Sequence, residues 1–184
     1  GEEGALRVLT VGMMREGAKM ASYSILARTL AHLPARTVQL EVAGDGPCRP
    51  DVERLLQGAG QPCRFHGALN SQRLAALYEQ ADVFFWPAAG EAMGMALLEA
   101  QSHGVPVLAG WSPGVASIVE DNETGWLVQD QNPAAYAAVL LELARDREPA
   151  RKKGIAARQK TQHHHSLDAA ASRLRAVLAK LCAA

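Results

Sequence analysis

The chain has 184 residues, of which 48% are hydrophobic and 21% are charged, a composition typical of one globular domain with a substantial core. Nineteen basic and nineteen acidic side chains cancel, so no overall charge favours nucleic acid or an anionic membrane surface as a partner. No apolar run approaches the roughly 20 residues of a membrane-spanning helix. Three cysteines without metal-ligand spacing favour free thiols, and we expect a cytoplasmic domain.

Short apolar strands alternate with amphipathic helices along the chain. Strands are predicted to begin at Ala5, Thr37, Cys63, Asp82, Val105 and near Gly125. Helices are predicted to begin near Met20, Arg49, Asn70, Gly94, Pro133, Glu148 and Ser166. This alternation predicts an α/β fold, a single Rossmann-like domain over residues 1–184, with about six parallel strands and helices on both faces. Such sheets bind ligands at the carboxyl ends of their strands.

The segment VGMMREGAKM connects the first strand to the first helix. Gly12 ends the strand and allows the backbone to turn closely. Arg15 and Lys19 then have the charge and the reach to contact a diphosphate. The alternative is a solvated loop with two exposed basic residues, and these residues alone favour that alternative.

The segment AGDGPCRP after the second strand partly matches a dinucleotide-binding fingerprint. The third glycine of that pattern is missing, because Arg49 occupies its position. Pro47 also removes one N–H group that a phosphate would use. We therefore predict a tight turn beside a ligand pocket, and the sequence disfavours a dehydrogenase.

The segment GEAMGMALLEA carries two glutamates, Glu91 and Glu99, on either side of a predicted helix start. The N–H groups of Gly94, Met95 and Ala96 would have no partner within the helix, so they form a potential phosphate site. Glu99 lies about 7.5 Å further along the axis, within an apolar run that predicts partial burial, where its two oxygens suit vicinal ribose hydroxyls. Alternatively, Glu91 is a surface acid and Glu99 a half-buried helix acid; the residues alone leave both interpretations open.

Together these motifs resemble those of the group 1, or family 4, glycosyltransferases over nearly the whole chain. The segments that match, in the family's order, are ALRVLTVG with Lys19, VAGDGP, FHG, DVFFWPAAGEAMGMALLEAQSHGVPVLA and NETGWLV. Members of this family are retaining enzymes with two Rossmann-like domains, the GT-B fold. The resemblance implies that this chain is the C-terminal domain, which binds the nucleotide-sugar donor.

The resemblance also implies roles for individual residues. Glu91 would hold the donor sugar and Lys19 would neutralise the diphosphate leaving group, so these two are the predicted catalytic residues. The predicted donor-binding residues are Gly12, Arg15, Lys19, Met93, Gly94, Met95, Ala96 and Glu99. The base would lie near residues 63–68. No metal and no cofactor other than the donor substrate are expected.

Departures from the family pattern leave other functions open. Met13 stands where the family usually has Arg, Met93 replaces a usual Phe, and Ser117 replaces a common acid. The resemblance also implies a missing N-terminal domain that binds the acceptor, so the isolated chain is predicted to transfer little sugar. The alternatives are a non-catalytic nucleotide-binding or interaction module and another doubly wound enzyme, such as a nucleotide-sugar epimerase.

Overall fold

Six short strands form one parallel sheet in the computed structural model, which describes residues 4–182 apart from some side chains of the final helix. The strands are β1 (Leu6–Val11), β2 (Val38–Ala43), β3 (Cys63–Gly67), β4 (Val83–Trp86), β5 (Val107–Gly110) and β6 (Gly125–Val128). Their order is β3-β2-β1-β4-β5-β6, and every neighbouring pair is parallel. The predicted Rossmann-like α/β fold is confirmed.

Helices cover both faces of the sheet. They are α1 (Ala18–Ala31), α2 (Arg49–Gln57), α3 (Ser71–Gln80), α4 (Met95–Ser102), α5 (Pro113–Ala116), α6 (Pro133–Arg145), α7 (Glu148–His164) and α8 (Leu167–Cys182). Helix α1 packs against α2 and α6, while α4 packs against α7. Within residues 4–182, no helix has both the length and the apolar character needed to cross a membrane.

The core lies on both sides of the central strands, because β4 and β5 are buried along their whole length. Fully buried side chains from both sheet faces and from the covering helices include Leu9, Leu40, Phe84, Phe85, Tyr23, Tyr78 and Tyr136. Parallel strands covered on both faces are continuous apolar runs rather than alternating ones, which explains sequences such as VFFW. This packed centre fixes the positions at which the strands end.

The direction of the chain across the sheet reverses between β1 and β4. From β1 the chain proceeds to β2 and β3 on one side, and it then returns to β4 on the other side of β1. The connections leaving the carboxyl ends of β1 and β4 therefore diverge, and a crevice opens between them.

A tight turn after β2 supports one wall of this crevice, as predicted. Gly44 and Gly46 both have positive φ angles, and a Cβ at Gly44 would lie 2.0 Å from the carbonyl oxygen of Gly12. Backbone bonds join the turn to the β1–α1 connection, because Gly12 N–H donates to Ala43 O and Met14 N–H donates to Asp45 O. Glycine is required where two backbones approach this closely.

Candidate functional site

A cavity of about 500 Å³ lies in the crevice between the carboxyl ends of β1 and β4. Its walls come from the connections that follow β1, β2, β3 and β4 and from the first turn of α4. This volume falls within the range of small-molecule sites, and the location is the one where open α/β sheets bind their ligands. The structure therefore offers a ligand-sized site where the sequence predicts one.

Lys19 and Glu91 meet in this cavity although they are 72 residues apart. The Nζ atom of Lys19 lies 2.5 Å from Oε2 of Glu91, and both side chains are about one-fifth exposed. Helix α1 begins at Ala18, two residues before the predicted start, so Lys19 stands in its first turn at the crevice. Glu91 is held in the loop between β4 and α4. The structure thus joins the two residues predicted to be catalytic in one ion pair.

Trp86, the last residue of β4, lies beside this ion pair, and sequence reasoning missed it. Its Nε1–H donates to Oε2 of Glu91 at 3.4 Å, and the Nζ atom of Lys19 lies 5.2 Å from the centroid of its ring. A cation at this distance from an indole ring is attracted to the negative face of the ring. The signal in the sequence was a tryptophan directly before Pro87, at the end of a buried strand.

Tyr23 and Gly12 hold the indole of Trp86 in place. The rings of Tyr23 and Trp86 make an edge-to-face contact with centroids 5.1 Å apart, and the Tyr23 hydroxyl donates to Gly12 O at 2.8 Å. Burial raises the pKa of Tyr23 far above its ordinary value, so the hydroxyl keeps its proton and remains a donor. A Cβ at Gly12 would lie 3.0 Å from the indole, which leaves little room for a larger residue.

The first turn of α4 offers free backbone N–H groups to the cavity. The helix begins at Met95 with Gly94 as its N-cap residue, as predicted. The N–H groups of Leu97 and Leu98 donate to Gly94 O at 2.9 and 3.3 Å. Those of Met95 and Ala96 come before these first helical bonds, and both residues line the cavity. This geometry suits an anion, especially at the positive end of the helix dipole.

The loop that carries Glu91 is fixed from two sides. The hydroxyl of Ser22 on α1 accepts the N–H of Ala89 at 3.0 Å, and the hydroxyl of Ser112 lies 3.5 Å from Glu91 O, to which it donates. A Cβ at Gly114 would lie 2.0 Å from Ala92 O, so the segment that begins α5 presses directly against this loop. Backbone support of this kind limits the positions that the Glu91 carboxylate can take.

Glu99 is exposed, and the predicted partial burial of this carboxylate is wrong. The apolar residues around it in sequence, such as Leu97 and Ala100, are buried on the face of α4 that meets the core, whereas Glu99 lies on another face. It stands about one turn beyond Met95, outside the lining of the cavity. Its role toward a ribose stays a prediction.

Tyr78 on α3 contacts the carboxylate of Glu99. Its hydroxyl donates to Oε2 at 3.3 Å. The pKa of Tyr78 is raised far above its ordinary value, first by burial, then by the negative charge of Glu99 and by this hydrogen bond. The contact orients one carboxylate oxygen and leaves the side chain accessible to solvent.

Arg15, predicted to contact a diphosphate, does not line the cavity, and its role toward a diphosphate stays a prediction. Arg15 is exposed, while Met13 lines the cavity and is 53% exposed. Among the described residues that line the cavity, Lys19 is the only cation. Met93 and Gly94 also line it, so the predicted donor-binding residues other than Arg15 and Glu99 are brought together. The described part of the chain contains no group of three His, Cys, Asp or Glu side chains suited to a metal ion.

Comparison with known proteins assigns the chain to a family. The family Glycosyl transferases group 1 matches residues 5–146. Sulfoquinovosyl transferase SQD2 of Arabidopsis thaliana is 34% identical over 146 residues, which are 78% of this chain and 28% of that protein. Sucrose-phosphate synthase from Thermosynechococcus elongatus superimposes with a TM-score of 0.84 at 28% identity, over 97% of this chain and 46% of that chain.

A third protein shares the fold. Anabaena Alr3699/HepE, in complex with UDP-glucose, superimposes with a TM-score of 0.81 at 18% identity, over 96% of this chain and 49% of that chain. The chain therefore spans less than half the length of each of these three proteins. The family match over most of its length nevertheless establishes that the chain belongs to the group 1 glycosyl transferases.

Proposed function

We propose that this chain forms the donor-binding half of a retaining glycosyltransferase, which binds a nucleoside-diphosphate sugar and passes the sugar to an acceptor held by another part of a longer protein. The observation that carries the proposal is the Lys19–Glu91 pair, placed at the carboxyl edge of the sheet beside the first turn of α4. Family membership and the UDP-glucose bound by the structurally similar Anabaena protein support this choice of ligand.

The groups around the cavity suggest how a donor would lie. Its diphosphate would accept hydrogen bonds from the N–H groups of Met95 and Ala96, with Lys19 alongside. The sugar would extend toward Glu91, and the nucleoside would extend past α4 toward Glu99 and the connection after β3, where Ala68 lines the cavity. This order places sugar, diphosphate and ribose along one line of polar groups.

Electrostatic stabilisation would then promote the reaction. As the bond between the anomeric carbon and the diphosphate oxygen breaks, negative charge grows on that oxygen, and the ammonium of Lys19 stabilises it. The carboxylate of Glu91 accepts a hydrogen bond from a sugar hydroxyl and so fixes the sugar during the transfer. In this arrangement neither residue needs to transfer a proton, and the charge of Lys19 stabilises the leaving diphosphate without a metal ion.

Titration calorimetry with UDP, GDP and ADP tests the proposed site directly. We expect binding of at least one of them, and Glu99→Ala should weaken it about tenfold or more, because a carboxylate is lost that accepts ribose hydroxyls. Glu142→Ala is the matched control, since Glu142 is an exposed helical glutamate on α6. If none of the three diphosphates binds at millimolar concentration, the proposed site is wrong.

Transfer by the isolated 184 residues tests whether this chain is only half of an enzyme. We expect donor binding but little release of nucleoside diphosphate when UDP-, GDP- or ADP-glucose is mixed with simple sugar acceptors, because the acceptor site would lie elsewhere. The measurement is the rate of diphosphate release per molecule of protein. Full turnover by the isolated chain would refute the half-enzyme interpretation.

A second candidate function is a nucleotide-binding module without catalysis, and one observation favours it. Met13 lines the cavity where the family usually has Arg, so Lys19 is the only cation among the described lining residues. Assays of the longer protein distinguish the two functions. Sugar transfer that Lys19→Met abolishes supports the enzyme, while donor binding without transfer supports the module.

A further inference from the structure

The two side-chain contacts made to the Glu91 carboxylate fall on the same oxygen. Lys19 Nζ lies 2.5 Å from Oε2, and Trp86 Nε1 lies 3.4 Å from it, within the described part of the chain. A carboxylate has about four lone-pair positions on its two oxygens. Oε1 is thus left to accept a hydrogen bond from a ligand, while Oε2 is used for orientation.

Trp86 has no freedom to turn away from this contact. Its side chain is 2% exposed, and it is wedged against the ring of Tyr23 and the backbone of Gly12. The same indole holds Lys19, whose Nζ atom lies 5.2 Å from the ring centroid. One buried side chain therefore touches both residues of the ion pair, through its N–H and through its ring face.

We propose that Trp86 is a positioning residue for the donor sugar. By holding Oε2 of Glu91 and the ammonium of Lys19, it presents Oε1 to a hydroxyl of the sugar and keeps the ammonium near the diphosphate. This role rests on the proposed function. Glu91 contacts the sugar and not the nucleotide in that arrangement, so loss of the indole N–H should weaken binding of a nucleotide sugar more than binding of the bare diphosphate.

Trp86→Phe removes the N–H group and keeps an aromatic ring in the core. We expect the affinity for UDP-glucose to fall about fivefold, as for one ordinary hydrogen bond, because the N–H contact is long, while the affinity for UDP changes less than about twofold. The ADP and GDP pairs serve as probes if the chain prefers those bases. Trp126→Phe is the matched control, because Trp126 on β6 also has a lysine, Lys153, with Nζ 5.2 Å from its ring centroid.

A double-mutant cycle separates positioning from packing. In a Glu91→Ala background, Trp86→Phe should cause no further loss of UDP-glucose affinity, because the acceptor of its N–H is gone. An equal loss in both backgrounds would show that the indole acts through packing alone and would overturn the proposal. No loss in either background would overturn it as well.

The indole ¹⁵N–¹H resonance of Trp86 reports the contact without any ligand, and Trp86→Phe assigns it among the three tryptophans. We expect Glu91→Ala to shift this resonance and to leave those of Trp111 and Trp126 in place; an unchanged resonance overturns the proposal. Failure of the unmodified chain to bind any donor overturns the proposed function, and with it the role toward a sugar. Donor binding without coupling between Trp86 and Glu91 overturns only the role of Trp86.

Discussion

Charged side chains form ion pairs at both ends of β1 and β4. The two ends differ in whether these side chains keep hydrogen-bonding capacity for a ligand. At the amino ends, Asp82 bridges to Arg7 and Arg147. At the carboxyl ends, Glu91 pairs with Lys19. Ion pairs thus lie beside both ends of the same two strands, and of these three described pairs only Lys19–Glu91 faces a ligand-sized cavity.

At the amino ends, Arg7, Asp82 and Arg147 form a cluster that holds separate secondary-structure elements together, and we call it the clamp. One oxygen of Asp82 accepts the backbone N–H of Arg7 at 2.8 Å and lies 3.6 Å from the guanidinium of Arg147. Arg147 in turn donates to the carbonyl oxygens of Gly4 and Ala5. The neighbouring cavity is about 100 Å³, too small for a nucleotide. These charges serve to tie β1, β4 and the start of α7 together.

The pair at the carboxyl ends leaves capacity for a ligand. Within the described residues, both side-chain contacts of the Glu91 carboxylate use Oε2, and the cavity beside it measures about 500 Å³. Free N–H groups of the first turn of α4 line the same space. An ion pair alone therefore does not identify a binding site. Unused hydrogen-bonding capacity beside a space of ligand size distinguishes this edge of the sheet.

The largest expected effect is a loss of stability when the cluster at the amino ends is broken. Asp82→Ala should lower the free energy of unfolding by about 3 kcal/mol, because it leaves the guanidinium of Arg147, which is 13% exposed, without this carboxylate. Urea denaturation measures the change, and UDP affinity should stay the same. Asp51→Ala is the control, since its pair with Arg54 is exposed, and it should cost less than about 1 kcal/mol. Equal effects of the two variants would contradict the clamp.

The sequence predicts the fold well because its signals are local. Apolar runs flanked by turn residues mark all six strands. Gly94, which the sequence places near the start of α4, is its N-cap residue. Asn70 supplies the side chain that caps α3, where its oxygen accepts the N–H of Arg73. These features depend on a few neighbouring residues, so one sequence is enough to find them.

The parts of the site that the sequence does not reveal depend on packing between distant segments. The contact of Trp86 with Glu91 requires the end of β4 to lie against Tyr23 of α1, which follows only from the strand order. Exposure of Glu99 depends on which face of α4 meets the core, and a helix with apolar residues on several sides does not show this. The type of each residue can be read from the sequence, whereas the direction in which its side chain points depends on the fold.

A smaller effect should appear in ligand binding at the carboxyl ends of β1 and β4. Lys19→Met keeps most of the side-chain length but removes the charge that we propose lies beside the diphosphate of the donor. We expect the affinity for nucleoside diphosphate to fall by about 2 kcal/mol, or about thirtyfold, because a charge-assisted hydrogen bond is lost. The dependence of binding on salt concentration should weaken as well, since fewer opposite charges meet in the complex.

Lys152→Met separates the local charge of Lys19 from the net charge of the chain. It removes the same charge from an exposed pair with Glu148 on α7, so UDP affinity should change by less than about twofold. Calorimetry at two salt concentrations measures both variants, and urea denaturation checks that each retains its fold. If both variants weaken binding equally, the ligand responds to the overall field of the protein. If only Lys19→Met does so, the ammonium at the carboxyl ends of β1 and β4 contacts the ligand directly. The clamp lies at the amino ends of these strands and cannot make such a contact.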